Sequence, residues 1–259
     1  MIVRKQADGQ LVLIGQTDHS RLVGQIAAHW GNSKFASPKP YDSVVRAATF
    51  HDFGWLRYET SPILLDSGET PEFRTLPFSL AQLDAYQWCS DWMSDIDPYS
   101  GLMVSMHRTG LWKHRYDTMT HPDNYARASQ PEIGTFIERA EQQQAELLKK
   151  FDSDEVWTNY CLLQVWDLLG LYFCCAEPCD DYIDPVPVAY GSTKSDGIRV
   201  TLKALGPNKV QFDPYPFDRK GIRLQLGSKK LATSKYPNLE SFRRAYFQAP
   251  IDLIEFDVV

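Results

Sequence analysis

Long apolar stretches are missing from this chain: no uninterrupted run is long enough to span a bilayer, and the opening MIVRKQADGQ holds no apolar core of a secretion signal. The sequence therefore predicts a cytoplasmic protein with no membrane partner. Cysteine is scarce and odd in number, five, which excludes a disulfide framework and fits reduced thiols. Cys174, Cys175 and Cys179 lie close together as CCxxxC. That spacing lacks the paired CxxC of structural zinc sites, so they read as buried or half-buried thiols. No G-x-S-x-G, P-loop or G-x-G-x-x-G occurs, which argues against serine-hydrolase, Walker-type and dinucleotide-binding chemistry. An excess of positive charge is absent too. The net charge is −6, so no nucleic-acid partner is expected.

What is present is an ordinary globular composition, 43% hydrophobic, with enough chain for a sizeable core. Charge is unevenly placed: residues 1–184 sum to −11 and residues 185–259 to +5. The texture changes near the same point. Helical periodicities run through about residue 176, preceded by one short strand, QLVLIGQ. TDHSRLVGQIAAHW reads as the first helix, with Thr17 or Asp18 as its N-cap. The stripe Val44, Val45, Ala47, Ala48 and Phe50 makes a second, which Gly54 is expected to end. About twenty residues rich in Pro, Thr and Glu follow, a loop long enough to expect a function. Helices resume at SLAQLDAYQWCSDWM, PYSGLMVSMHRTGLWKHRY, Pro131–Lys150 and DEVWTNYCLLQVWDLLGLYFCC. After Asp180, GIRVTLKAL, KVQFDPYPF and GIRLQLGSKKLA alternate with period two. NLESFRRAYF reads as a short helix, and the last strand, IDLIEFDVV, slips in its alternation as a bulge would. The expected architecture is mainly α, a helical domain over 1–184 with a small β-rich C-terminal extension over 185–259, α+β overall.

AATFHDFGW places His51 and Asp52 at the end of an apolar helical run. With six His and 22 Asp in the chain, such a pair arises by chance roughly four times in ten, so its surroundings must decide. Asp167 sits on the stripe Tyr160, Leu163, Gly170, Leu171 and Cys174, which is otherwise apolar. A carboxylate on a buried face is costly unless paired or bound to a metal. His107 repeats the pattern with Met103, Gly110 and Leu111, and His19 falls in the first turn of the first helix. Adjacent His and Asp point about 100° apart in a regular helix, so both reach one ion only near a helix end.

In this order, His19, then His51-Asp52, then Asp167, the sequence resembles the HD-domain superfamily of metal-dependent phosphohydrolases. The resemblance rests on TDHSRLVGQIAAHW, AATFHDFGW and LLQVWDLLGL and covers roughly residues 15–176. Bacterial members of similar size with a β tail are the branch it fits. The resemblance implies an all-α core in which His19, His51, Asp52 and Asp167 bind one divalent metal, with Asp52 bridging metal and water. Two-metal branches add histidines; His107 matches such a position, and His114 or His121 is the candidate for a second.

Imidazole and carboxylate together suit Mn, Fe, Co, Ni or Zn, as one ion or two. Arg57 and Arg108 are the cations nearest the motif and the candidates to clamp a phosphate. The expected activity is hydrolysis of a small phosphorylated molecule, a phosphomonoester, phosphodiester or nucleotide. The alternatives are a two-iron oxygenase of the same fold and a non-catalytic metal- or ligand-binding regulatory module.

Overall fold

A 23-residue helix, α7 (Ser153–Cys175), runs through the interior. The Asp152 side chain caps its start, accepting from the Glu155 N–H at 2.8 Å. Val156, Tyr160, Leu163, Trp166, Leu169 and Phe173 are all buried along it. Helices α1 (Gln16–Ala28), α2 (Tyr41–Phe50) and α5 (Pro98–Trp112) pack against it, with α3 (Leu56–Thr60), α4 (Leu80–Ile96) and α6 (Pro131–Leu148) outside them. This computed structural model describes residues 1–76, 78–113 and 130–259. His114 and His121 lie outside the described residues.

The strands form one seven-stranded sheet in the order β1-β2-β6-β7-β5-β4-β3. They are β1 (Ile2–Lys5), β2 (Leu11–Ile14), β3 (Asp181–Val186), β4 (Ile198–Gly206), β5 (Lys209–Asp213), β6 (Ile222–Leu231) and β7 (Asp252–Val258). Every pairing is antiparallel except β5 with β7. Strand β6 joins the two ends of the chain: Ile222–Ser228 pair with β7, and Lys229–Leu231 pair with β2. Val200, Leu202, Val210, Leu224, Leu226 and Phe256 share one core with the helices. A second cluster packs α8 (Leu239–Gln248), through Phe242 and Tyr246, against Met1, Leu11, Leu13 and Leu231.

Two expectations about architecture are corrected. Of the described residues 48% are helical and 20% are in strands, and the sheet takes in the first strands as well as the last. It is not mainly α with a small C-terminal β segment, and its core is not all-α. The reason is non-local pairing: β1 and β2 are only four residues each, and β6, the strand that joins β2 to the rest of the sheet, lies about 220 residues away. The second correction concerns β7, which keeps unbroken register with β6. Its alternation slips because Ile251 and Leu253 are exposed apolar residues, 67% and 61% accessible, while Asp252 falls in phase with the inward Phe256 and Val258. The register shifts fall instead between Ile183 and Val186 and between Ala204 and Gly206.

Side chains lock helices to strands at defined points. The Arg4 guanidinium on β1 donates to the carbonyls of Cys174, at 2.5 Å, and of Phe173, which fixes the C-terminal end of α7 where a cation is favoured. Gln25 on α1 donates to the Gln225 carbonyl at 2.8 Å and accepts from its N–H at 2.9 Å, completing the backbone bonding of β6. Neither Thr17 nor Asp18 is the N-cap of α1. The helix begins after Gly15, and Glu59 of α3 caps it from outside, accepting from the Thr17 N–H at 3.1 Å and the Thr17 hydroxyl at 2.5 Å. Burial pushes the Glu59 carboxyl up, against the downward pull of these bonds.

Gly170 sets the approach of α1 to α7. A Cβ there would lie 2.5 Å from Val23 Cγ2 and 2.8 Å from His19 Cε1. Gly170→Ala should therefore cost about 1–3 kcal/mol, since an overpacked core must shift its helices. Gly134 on α6 has nothing within 4 Å of its Cβ position, so Gly134→Ala should raise stability by about 0.5–1 kcal/mol. Urea unfolding midpoints measure both, and equal signs for the two variants would contradict this packing.

Candidate metal centre

Three segments of chain meet at the start of α1, the end of α2 and the middle of α7. His51 is the C-cap of α2 with helical angles, φ −58° and ψ −29°, and at Asp52 the chain leaves the helix, φ −109° and ψ 13°. That change of direction turns the adjacent side chains toward one place. Gly54 does not end the helix, as expected from sequence. It lies inside the 3-10 turn Phe53–Trp55, where a Cβ would come within 2.5 Å of the Ala85 carbonyl oxygen, so its role is close approach to α4.

His19 Nε2 lies 2.9 Å and His51 Nε2 3.2 Å from the same oxygen, Oδ1 of Asp167. Asp52 Oδ2 is 3.7 Å from His51 Nε2. Donor atoms of His19, His51, Asp52 and Asp167 all fall within 4.8 Å of one another, and all four residues are buried. The structure thus brings together the four ligands that the sequence singled out.

The surroundings of His51 favour a cation here. Its Nδ1 donates to the Ala48 carbonyl at 2.8 Å, which commits one ring proton to that side and turns Nε2 toward carboxylate oxygen. Two acceptors 3.2 Å apart need a proton or a metal ion between them. Ser20 braces the arrangement: its hydroxyl donates to the Thr49 carbonyl at 2.9 Å and accepts from the Asp52 N–H at 3.3 Å, tying α1 to the end of α2. Such a buried brace orients ligands in the way outer-shell partners of metal sites do. The donor set therefore fits a divalent transition ion.

The ionisation of the cluster follows from its mutual contacts. Burial opposes charge on Asp167, yet hydrogen bonds from His19 and His51 hold its carboxyl well below the usual range. Burial likewise works against the charge on Asp52, which His51, Arg108 and His107 outweigh, so its carboxyl also titrates low. His51 is raised, because Asp52 and Asp167 outweigh a large burial penalty. His107 is pushed down to about 3 by burial and by the neighbouring His51.

His107, on α5, sits edge-on to His51 with ring centroids 4.6 Å apart, but is not one of the four clustered donors. Arg108, beside it, is 9% exposed, forms an ion pair with Asp52 Oδ1, and lies 3.6 Å over the ring of Tyr86. Arg57 is elsewhere: it is exposed on α3, at a surface depression with Asp84 and Trp88. A cavity of about 60 Å³ reaches the cluster and is also lined by Gln16, Trp55, Arg74, Tyr86 and Trp112. Arg74 comes from the long loop and carries no pattern that would reveal it. Gln16 and Ser20 had a signal, standing one turn before and one residue after His19.

His51→Ala and Asp167→Ala should each reduce bound transition metal from about one ion per chain to near none, with helical circular dichroism largely retained. Elemental analysis of protein prepared without chelator measures this. Metal surviving both substitutions would place the ion elsewhere.

Over residues 1–233 the sequence matches the family described as protein of unknown function, DUF3891. No curated protein and no solved structure matches the chain. With the seven-stranded mixed sheet, this match overturns the resemblance to the HD-domain superfamily. The short motifs behind that resemblance specify only a local donor set, which a helix end and two helix turns supply here in a fold whose core is shared with a seven-stranded sheet. The chain belongs to the DUF3891 family.

Proposed function

We propose that this protein is a metal-dependent hydrolase of a small phosphorylated molecule, using one divalent transition metal held by His19, His51, Asp52 and Asp167. One observation carries the reading: three of the four buried donors, His19, Asp52 and Asp167, border a cavity that Arg108 and Arg74 also line. Carboxylate and imidazole donors beside two guanidinium groups favour a cation and an anion together, which is what a phosphoryl group on a divalent ion presents. Mn, Fe, Co, Ni and Zn all suit such a donor set. When bound, the ion would polarise a phosphoryl oxygen and bring the pKa of its water toward about 7.

The chain's own residues supply the rest. Arg108 is held by Asp52 and by the face of Tyr86, so its guanidinium is fixed before an anion arrives and little ordering cost remains. Arg74, whose Nε is paired with Glu72 at 3.1 Å, brings a second guanidinium from the loop, over the ring of Phe73. Trp55, Leu111, Trp112 and Leu171 wall the cavity with apolar surface, which thins out water and strengthens charge interactions within it. His107 stays an uncharged imidazole at neutral pH and so adds no positive charge to compete with a metal ion.

Phosphate release from a panel of phosphomonoesters, phosphodiesters and nucleotides, with each of the five metals supplied in turn, tests the proposal. The expected result is metal-dependent turnover of at least one class. Arg74→Ala should raise KM about tenfold, as loss of a charge-assisted hydrogen bond would, while leaving metal content unchanged. Full metal loading with no phosphate released from any class would contradict hydrolysis and favour a binding module.

A further inference from the structure

Leaving aside the histidine nitrogens, two buried polar atoms of the cavity lining have no hydrogen-bond partner among the described residues: Oε1 of Gln16 and Nε1 of Trp55. Their residues are 2% and 4% exposed, and both line the cavity. An unpaired buried polar group costs about 1–3 kcal/mol, so two at one small cavity are a cost that packing alone does not recover. Both are positioned by the same backbone as the metal donors. Gln16 is three residues before His19 and shares its side of α1, and Trp55 ends the turn that starts after Asp52.

The two atoms make opposite demands. An indole N–H can only donate, and a carboxamide oxygen can only accept. A ligand that fills the cavity must meet both demands or lose affinity. Trp55 therefore suits a phosphoryl oxygen, whereas Gln16 Oε1 cannot meet one and requires a donor on the ligand. Arg74 and Arg108 balance the carboxylates of Asp52 and Asp167 in the lining, so with a divalent ion bound the cavity is net positive and a cationic ammonium donor is disfavoured against a neutral hydroxyl. The cavity of about 60 Å³ confines the buried part to a phosphoryl group and a short chain.

We infer that the cavity selects a small phosphorylated molecule bearing a free hydroxyl group, with Trp55 donating to a phosphoryl oxygen and Gln16 accepting from the hydroxyl. The inference rests on the proposed function in taking the anionic group to be phosphoryl. It assigns Gln16 and Trp55 to recognition, apart from the residues that hold the metal.

Calorimetric titration of the Mn-loaded protein with ethylphosphonate and 2-hydroxyethylphosphonate separates this inference from turnover, because neither compound is an ester and they differ by one hydroxyl. The wild type should bind the hydroxylated compound about tenfold more tightly, the worth of one well-made hydrogen bond. Gln16→Met should erase that preference while leaving ethylphosphonate affinity within about twofold. Trp55→Phe should weaken both compounds by a similar factor, about five- to tenfold, and metal content should be unchanged in both variants. The wild-type preference needs no variant to fold. Its absence, its survival in Gln16→Met, or failure of both phosphonates to bind would overturn the inference. A hydroxyl preference together with no phosphate release from any ester would leave it standing and overturn the hydrolase reading alone.

Discussion

One carboxylate oxygen, Oδ1 of Asp167, carries contacts from two histidines on two other segments of chain. Asp167 is 4% exposed in the middle of α7, which runs through the interior, where a lone charge would be expensive. The structure answers that cost by convergence: α1 brings His19, the end of α2 brings His51, and the next residue brings Asp52 with Arg108 behind it. Because the four donors come from three elements, their spacing depends on helix packing rather than on any loop. Sites built on regular elements hold their geometry more tightly than sites built on loops.

The sheet matters to this convergence although it contributes none of the four donors. Helix α1 is trapped between α7, at the Gly170 approach, and β6, at the Gln25 carboxamide. Helix α7 is held at its far end by Arg4 of β1. Strand β1 reaches β6 through β2, so the elements that fix α1 and α7 belong to one continuous ladder. The early strands thereby set the register of His19 against Asp167. The long loop has the complementary role, bringing Arg74 and Phe73 to the cavity mouth without burdening the core.

Much of the local structure was legible in the sequence. The bounds of α6, α7 and α8 were legible to within two residues from periodicity and, for α6, from Pro131 at its start, while the cap of α8 by Asn238, whose side chain accepts from the Ser241 N–H at 2.8 Å, was not read. His51-Asp52 and Asp167 stood out because a charged residue on an apolar stripe needs a reason. The extent of the sheet was not legible, since pairing between β2 and β6 is set by packing across the molecule and leaves no local mark. The family resemblance failed for a related reason. A His, a His-Asp pair and a distant Asp describe a handful of contacts, and different folds can present them. Arg57 looked equivalent to Arg108 in sequence, but a one-turn helix that faces solvent carries it away, while α5 buries Arg108 against Asp52.

The claim beneath all of this is that a metal ion belongs among His19, His51, Asp52 and Asp167. Anomalous diffraction from crystals of metal-loaded protein, collected at the absorption edge of the metal, tests it most directly. The account predicts one strong peak about 2.0–2.3 Å from imidazole nitrogen of both histidines and from carboxylate oxygen. A peak at the cysteines instead, or no peak at the cluster under saturating metal, would contradict it.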